Sequence, residues 1–392
     1  MRLDQHTVGN GVVGFLFATT GPMAILLAAA ARGRLSDAEL FSWVAASYGV
    51  GAIITFGFSV AWRQPLVLAW SIPGAVIAGA ALERLPFEEV IGAYIVTGVV
   101  MAVLGVSGLA QRLMAYVPAP VIMAMVAAMF FPIGVGLVHA FSDRFVIAAA
   151  MVLAYVLASI VPAVGRYAPP VVAALIAGAL AIALEPGAAL QRPLTWSIAL
   201  PNVYAPSFTV RAIAELVLPL TASVIGIQNS QGIAYLRSAG YHPPERAITT
   251  ACGLGSIVSG LLGAVPVCLT GPVTGIINLS GATAHRWVSA VVFAVLAFLF
   301  ALFAATVSSL GLALPGAFIA ALGGLAMLGV LQQAFTQGFQ GRHTLGATVT
   351  FIVTASQLTI FNVSAAFWGL VLGSLVSAVL ERADYRAGLA TR

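Results

Sequence analysis

The chain contains no lysine. All 17 of its basic residues are arginines, set against 12 acidic residues and 5 histidines in 392. Charged residues make up only 7% of the sequence and hydrophobic ones 61%, where a soluble domain carries about 25% charged residues. So few charges cannot cover the surface of a soluble fold of this length. Cysteine is equally scarce. Cys252 and Cys268 are the two present, set among apolar and small residues, which excludes a disulfide framework and a zinc spacing. His6, His139, His242, His285 and His343 have no metal-ligand spacing, and no metal or cofactor is expected. Walker A, H-E-x-x-H and G-x-S-x-G sequences are also missing, which counts against an ATP-driven pump and a membrane enzyme. Gly9-Asn-Gly-Val-Val-Gly14 matches the dinucleotide pattern G-x-G-x-x-G, but no strand precedes it and it opens an apolar span.

What the sequence does have is apolar runs of about 20 residues, the length that crosses the hydrocarbon core of a bilayer. Backbone groups in that core must be satisfied within the segment, so the spans are expected to be helices. Runs such as Val288–Thr306 are continuous and lack the alternation of a transmembrane strand. The run from Val8 to Ala31 is too long for the apolar stretch of a signal peptide and reads as the first span. The formal charge of +5 comes from arginines scattered singly at the ends of apolar runs, the pattern of membrane loops rather than of a nucleic-acid surface.

Polar breaks divide the chain into spans 9–31, 39–62, 66–82, 88–109, 117–138, 145–163 and 168–184. A Pro-rich linker, Glu185–Pro206, comes next, and then spans 208–235, 246–263, 266–283, 287–306, 309–331, 344–360 and 363–380. The expected fold is thus an all-α polytopic membrane protein of seven plus seven segments, with repeats at 9–184 and 207–382. An odd number per half makes the halves insert with opposite orientation, the inverted repeat of many secondary transporters. With both termini cytoplasmic, arginines 2, 63, 112, 166, 237, 246, 286, 342, 382, 386 and 392 fall inside, and 32, 34, 84, 144, 192 and 211 outside. The bias of eleven to six obeys the positive-inside rule.

Local sequence supports the repeat. Gly49-Val-Gly-Ala-Ile-Ile-Thr55 matches Gly253-Leu-Gly-Ser-Ile-Val-Ser259 in residue type, each in the second span of its half. The third segments, Leu66–Gly74 and Val265–Gly275, share a layout in which a short β-prone stretch leads to a proline and then to small residues. Proline is disruptive inside a helix but suits its first turn. Pro73 and Pro272 are therefore expected to start half-helices in mid-membrane, with extended backbone before them at Trp70-Ser71 and Leu269-Thr270. Such backbone is tolerated only where it is buried in protein or lines a cavity, and paired interruptions of this kind point to a transporter's binding site.

In an inverted repeat the two half-helices aim their N-termini at each other, and each offers free N–H groups and partial positive charge to an anion. A full charge at mid-membrane costs at least about 2.5–3.5 kcal/mol, and two helix ends worth about 0.3–2 kcal/mol each offset much of it. The first span of each half is expected to line the same cavity, with Thr19-Thr20-Gly21-Pro22 in one and Gln228, Asn229, Ser230 and Gln231 in the other. Four adjacent polar residues cannot all face lipid. They face a cavity or bond neighbouring helices. Phe15, Phe17, Tyr48 and Trp70 add aromatic surface, either as packing or as the wall of a site for a small aromatic carboxylate.

Three stretches carry a resemblance to a known family: Ala18-Thr-Thr-Gly-Pro22, Ala69-Trp-Ser-Ile-Pro-Gly74 and Ile225-Gly-Ile-Gln-Asn-Ser-Gln231. Together they resemble the bacterial benzoate/proton symporters, which are similar in fold to nucleobase, sulfate and bicarbonate carriers. The resemblance runs over nearly the whole chain. It implies a core domain (9–109 with 207–306), a gate domain (111–184 with 308–382) and a substrate held between the third and tenth segments. The site it implies comprises Thr19, Thr20, Gly21, Trp70, Ser71, Ile72, Pro73, Gly74, Gln228, Asn229, Gln231, Thr270, Gly271 and Pro272. Nucleobase carriers have acidic residues in their eighth and tenth segments. This chain has amides near Gln228, and Pro272 with Thr270 and Thr274, which favours an anionic ligand.

The expected activity is import of benzoate or a similar aromatic carboxylate with a proton across a bacterial inner membrane. An anion exchanger or channel, or another small-anion or nucleobase carrier, is the alternative on the same scaffold. No Asp, Glu or His falls clearly in mid-span to carry the proton. Glu215, four residues after Arg211, is the nearest candidate, and that spacing predicts an ion pair at the outer end of its helix. The expected partners are the anionic substrate, protons and membrane lipid, with no nucleic acid; a homodimer is left open.

Overall fold

A computed structural model describes residues 5–110, 117–161, 170–184, 198, 200–278, 283–358, 360 and 365–384. In chain order the elements are α1 (Gln5–Thr19), α2 (Gly21–Arg32), α3 (Asp37–Trp62), β1 (Leu68–Trp70), α4 (Ile72–Ala81), α5 (Phe87–Ser107), α6 (Ala119–Asp143), α7 (Phe145–Ile160) and α8 (Pro170–Leu184). The second half follows with α9 (Val210–Thr221), a π-helix (Ala222–Asn229), α10 (Ser230–Ser238), α11 (Glu245–Leu261), β2 (Val267–Leu269) and α12 (Gly271–Ile277). It ends with α13 (Arg286–Leu302), α14 (Ala304–Ala313), α15 (Gly316–Phe339), α16 (Thr344–Ala355) and α17 (Ala365–Leu380). Among the described residues, six helices are long and apolar enough to cross a membrane, or seven if Arg286–Leu302 and Ala304–Leu310, bent by 74°, count as one span. The apolar helices carry exposed Ile53, Val103, Val138, Leu153, Ile160, Leu254, Leu299 and Ile352. This is the apolar surface of a multi-pass membrane protein.

Both expected strand-and-helix segments are present, and the two strands pair with each other. β1 and β2 run antiparallel, Leu68 opposite Leu269 and Trp70 opposite Val267. The pairing continues at both ends, with Ser71 N–H donating to Pro266 O at 2.9 Å and Thr270 N–H to Val67 O at 2.9 Å. The second span of each half docks its strand with hydroxyls one turn apart. On α3, Thr55 Oγ1 donates to Leu68 O (2.7 Å) and accepts from Leu68 N–H (2.8 Å), while Ser59 Oγ donates to Leu66 O (3.1 Å). On α11, Ser256 Oγ accepts from Val267 N–H (2.9 Å) and Ser259 Oγ donates to Val265 O (3.1 Å). Each repeated sequence block thus carries at least one hydroxyl, Thr55 in the first and Ser256 and Ser259 in the second, that ties down the neighbouring strand segment.

The two halves interlock. α5 packs on α11 and α9, and α3 and α1 both pack on α13. The α5–α11 contact is backbone-close, since a Cβ at Gly253 would lie 2.3 Å from Ala102 N and one at Gly105 2.4 Å from Thr250 N. Small residues of this kind let membrane helices approach without a hydrophobic driving force. Across from this cluster, α15 packs on α6, α6 on α16 and α16 on α17.

Two expectations need correction. The apolar stretch read as spans 287–306 and 309–331 is divided differently: after Leu302 the chain turns by 74° into α14 at Ala304, and α15 begins at Gly316, after Pro315. α15 then runs on to Phe339, eight residues past the expected end at 331. In the linker Glu185–Pro206, residues 185–197 and 199 lie outside the described set. Residues 200–209 are irregular and held to the first half and α11, with Asn202 N–H on Ser42 Oγ (2.8 Å), Tyr204 N–H on Leu261 O (2.8 Å) and Ser207 N–H on Glu88 O (2.9 Å).

Candidate functional site

The first span of each half is broken at mid-length. α1 stops at Thr19 and α2 starts at Gly21, with Pro22 in its first turn. In the second half, Pro219 lacks the N–H for its own place in the helical ladder, and the backbone widens into the π-helix three residues later. π-segments inside α-helices recur at functional sites, and this one delivers the amide cluster. Asn229 Oδ1 accepts from Leu269 N–H at 2.7 Å, and Gln228 Oε1 accepts from Gly271 N–H at 3.3 Å. The cluster thereby reaches the end of β2 and the start of α12.

A cavity of about 520 Å³ lies against this junction, lined by Ile72, Pro73, Ala119, Met123, Val126, Phe130, Gly226, Ile227, Gln228, Ser230, Gln231, Ala234, Tyr235, Ser238, Pro272, Val330, Gln333 and Gln337. Both half-helix prolines face it, as the opposed N-termini require. Its wall is mostly apolar, its polar groups are amides and hydroxyls, and no lining residue carries a charge. A second chamber of about 620 Å³ shares Tyr235, Ser238 and Pro272 with it and continues to Asn278, Thr283 and Arg286. Beside that chamber the Tyr241 hydroxyl donates to Thr283 O. Burial raises the Tyr241 phenol above its usual pKa, and the nearby Arg286 charge pulls it the other way.

The opposite end is nearly closed. A crevice of about 50 Å³ lies there between Arg32, Val76, Arg84, Ala128, Thr354, Gln357 and their neighbours. Arg32 pairs with Glu83 and donates to Gln357 Oε1 at 3.2 Å. Glu215, expected to pair with Arg211, has Arg84 of the other half as its ion-pair partner, with its side chain fully buried. Glu215 is not among the residues lining the cavity. At the other end of the molecule Arg237 pairs with Glu245, Arg246 bonds Val106 O, and Gln64 Nε2 reaches His242 O (3.0 Å).

Of the residues predicted for the site, Ile72, Pro73, Gln228, Gln231 and Pro272 line the cavity. The others stand behind it, several with identifiable structural work. Thr19 and Thr20 bond back to Phe15 O (2.9 Å) and Leu16 O (2.8 Å) of their own helix. Gly21 meets α15, where an added Cβ would lie 2.1 Å from Ala326 Cβ. Trp70 packs edge-on to Tyr48, ring centroids 6.0 Å apart, and Tyr48 bonds Ala18 O at 2.6 Å. Ser71 caps α4 by accepting from Gly74 N–H at 3.1 Å. Thr270 is the N-cap residue of α12 without a side-chain cap bond, and Gly271 leaves room for Gln231. Asn229 ties the strand. The aromatic set Phe15, Tyr48 and Trp70 packs with Phe300, Tyr48 to Phe300 at 4.7 Å and Phe15 to Phe300 at 5.8 Å; the cavity's own aromatics are Phe130 and Tyr235.

Sequence reasoning missed Gln333 and Gln337. They sit four residues apart on one face of α15, and Gln231 Nε2 donates to Gln333 Oε1 at 3.0 Å across the cavity. The signal was available, since amides in an apolar stretch must find a partner or a cavity. It was hidden because the expected span ended at 331.

Comparison with known proteins gives matches in both sequence and fold. The profile of the family described as "Benzoate membrane transport protein" matches residues 2–379. The inner membrane protein YdcO of Escherichia coli is 29% identical over 388 residues, covering 97% of this chain and 98% of that protein. The benzoate membrane transport protein of Acinetobacter baylyi is 28% identical over 379 residues, covering 94% of each. In fold the chain is similar to the transmembrane domain of the cyanobacterial bicarbonate transporter BicA (TM-score 0.57, 18% identity, 98% of this chain and 97% of that one). It is also similar to the murine Slc26a9 anion transporter in its inward-facing state (TM-score 0.66, 12% identity, 97% of this chain and 69% of that one).

Proposed function

The chain belongs to the benzoate membrane transport protein family, and from that premise we propose that it imports benzoate or a closely similar aromatic carboxylate together with a proton. The observation that carries this reading is the cavity itself. It has an apolar wall from Met123, Val126, Phe130 and Val330 for a ring. At the half-helix starts it has the amides of Gln228 and Gln231 for a carboxyl group. Its volume lies within the range of small-molecule sites. The proposed ligand set is Ile72, Pro73, Gln228, Gln231 and Pro272, held in place from behind by Ser71, Gly74, Asn229, Thr270 and Gly271.

Bringing an anion in against an inside-negative potential costs about 2.3 kcal/mol per 100 mV, and a co-transported proton cancels that charge. None of the residues lining the cavity is an acid or a histidine, and Glu215 is held by Arg84 elsewhere. We therefore assign the proton to the substrate's own carboxyl group. A side-chain amide both donates and accepts, so Gln228 and Gln231 can hold the carboxylate and the carboxylic acid in turn.

The architecture of the reading is a fourteen-segment, seven-plus-seven inverted repeat. The packing supports it: exchanging the halves turns the α5–α11 contact into α3–α13 and the α5–α9 contact into α1–α13, as a pseudo-two-fold axis through the paired strands requires. The core (9–109 with 207–306) would rock against the gate (111–184 with 308–382), with both termini in the cytoplasm of a bacterial inner membrane. On that orientation the larger chambers open inward past Arg286, and the Arg32–Gln357 bond and the Arg84–Glu215 pair close the outer side.

The test is uptake of labelled benzoate into proteoliposomes with an imposed pH gradient, alkaline inside. Accumulation above the external concentration that collapses with a protonophore is expected. Uptake that ignores the gradient but is stimulated by benzoate on the far side would identify an exchanger and overturn the symport reading.

A further inference from the structure

We propose that Gln333 is a substrate ligand on the gate wall, completing with Gln231 an amide clamp that grips the carboxyl group from both sides of the cavity. The inference deepens the function proposed above and rests on its ligand class.

The half-helix starts supply one wall. Gln228 commits its Oε1 to Gly271 N–H at 3.3 Å, and Gln231 turns across the cavity to Gln333. Gln333 comes from α15, which packs on α6 and α2 and would move with the gate. Both glutamines are half-buried and both line the cavity. Amides in such a setting do not stay unpaired, and these two bond each other. That bond uses one donor of Gln231 and the acceptor oxygen of Gln333. A carboxylate is acceptor only. On entering, it takes the Gln231 Nε2 donor, and half a turn of the soft terminal torsion of Gln333 presents a second N–H from the opposite wall. One neutral amide–amide bond gives way to two charge-assisted bonds, which are stronger. Because the two donors belong to walls that move relative to each other, the grip is complete only while the walls are close. Gln337, one turn along α15, extends the same polar strip toward Ser238 and the second chamber.

The experiment is isothermal titration of benzoate into the purified full-length protein and its Gln333→Leu, Gln333→Glu and Gln332→Leu variants. Gln332 is exposed next to Gln333 and lies outside the cavity lining, so Gln332→Leu should bind as wild type and controls for disturbance of α15. Removing a donor to a charged group should weaken binding in Gln333→Leu by about tenfold. Gln333→Glu is nearly isosteric and keeps the fold readable. Its carboxylate repels the ligand, so it should bind more weakly than the Leu variant near about pH 7.5 and recover toward about pH 5.5 as the glutamate protonates. Both variants binding within about twofold of wild type, with no pH-dependent recovery in Gln333→Glu, would overturn the role of Gln333 alone. Wild-type protein that binds no benzoate overturns the proposed function and the clamp together.

Discussion

The two strand-and-helix segments have the same layout and different chemistry. α4 is ten residues long and caps itself, with the Ser71 hydroxyl accepting from Gly74 N–H. α12 is seven residues long, and the first N–H of its helix, at Gly271, goes to Gln228. One half-helix is finished by its own sequence, and the other depends on an amide from a π-helical turn of a neighbouring span. On the proposed function, the shared layout supplies the scaffold and the departure from it is where the ligand is chosen. The first segment is a fixed wall. On the proposed function the second is the responsive one, because a ligand that competes for Gln228 also changes what holds the start of α12.

The comparison breaks most sharply at the glycines. A Cβ on Gly271 would lie 2.1 Å from Gln231 Oε1 and drive that side chain out of place, whereas one on Gly74 meets its own Ser71 at 3.0 Å. Gly271→Ala should reduce benzoate uptake about 100-fold, as misplacement of a ligand-positioning group by about 1 Å does. Gly74→Ala should stay within about threefold, and equal losses would erase the asymmetry. The next largest effect is at the amide. Gln228→Leu removes a ligand and orphans Gly271 N–H, so the dissociation constant for benzoate should rise by at least about tenfold. Ser71→Ala removes only a helix cap, worth about 0.5–2 kcal/mol, and should lower the melting temperature with little change in affinity. The smallest effect is expected at Arg286, which lines the second chamber and not the first. Arg286→Gln should raise the KM for benzoate presented on the cytoplasmic side about two- to fivefold at low ionic strength and by less at about 0.15 M salt, because a half-buried charge steers anions through a screened field.

Much of this was legible in the sequence, for physical reasons. Apolar runs must be helices in a bilayer, so the class of fold followed from composition. Pro73 and Pro272 could only start helices, so the half-helices and the extended backbone before them followed as well. The antiparallel pairing of those strands was not legible, since three-residue strands carry no register signal of their own. Neither was the work of the hydroxyls: Thr19, Thr20 and Ser71 read as ligands, yet each satisfies nearby backbone, as Ser and Thr do in membrane helices. Glu215 was read as a local i,i+4 pair, while the structure gives it Arg84 from the other half, a contact that spacing along one helix cannot reveal. Gln333 was lost to a span boundary, because a 74° bend at Leu302 leaves no mark in hydropathy.

The most direct test of the cavity assignment is a ligand-induced shift in the melting temperature of the purified protein, measured across benzoate, uracil, bicarbonate and sulfate for wild type and Gln228→Leu. A ligand at about 100 times its dissociation constant stabilises the native state by about 2.7 kcal/mol. Benzoate should therefore raise the melting temperature of wild type clearly, the other three should not, and Gln228→Leu should lose most of the shift. Stabilisation by uracil or an inorganic anion without benzoate, or an equal benzoate shift in Gln228→Leu, would contradict the account.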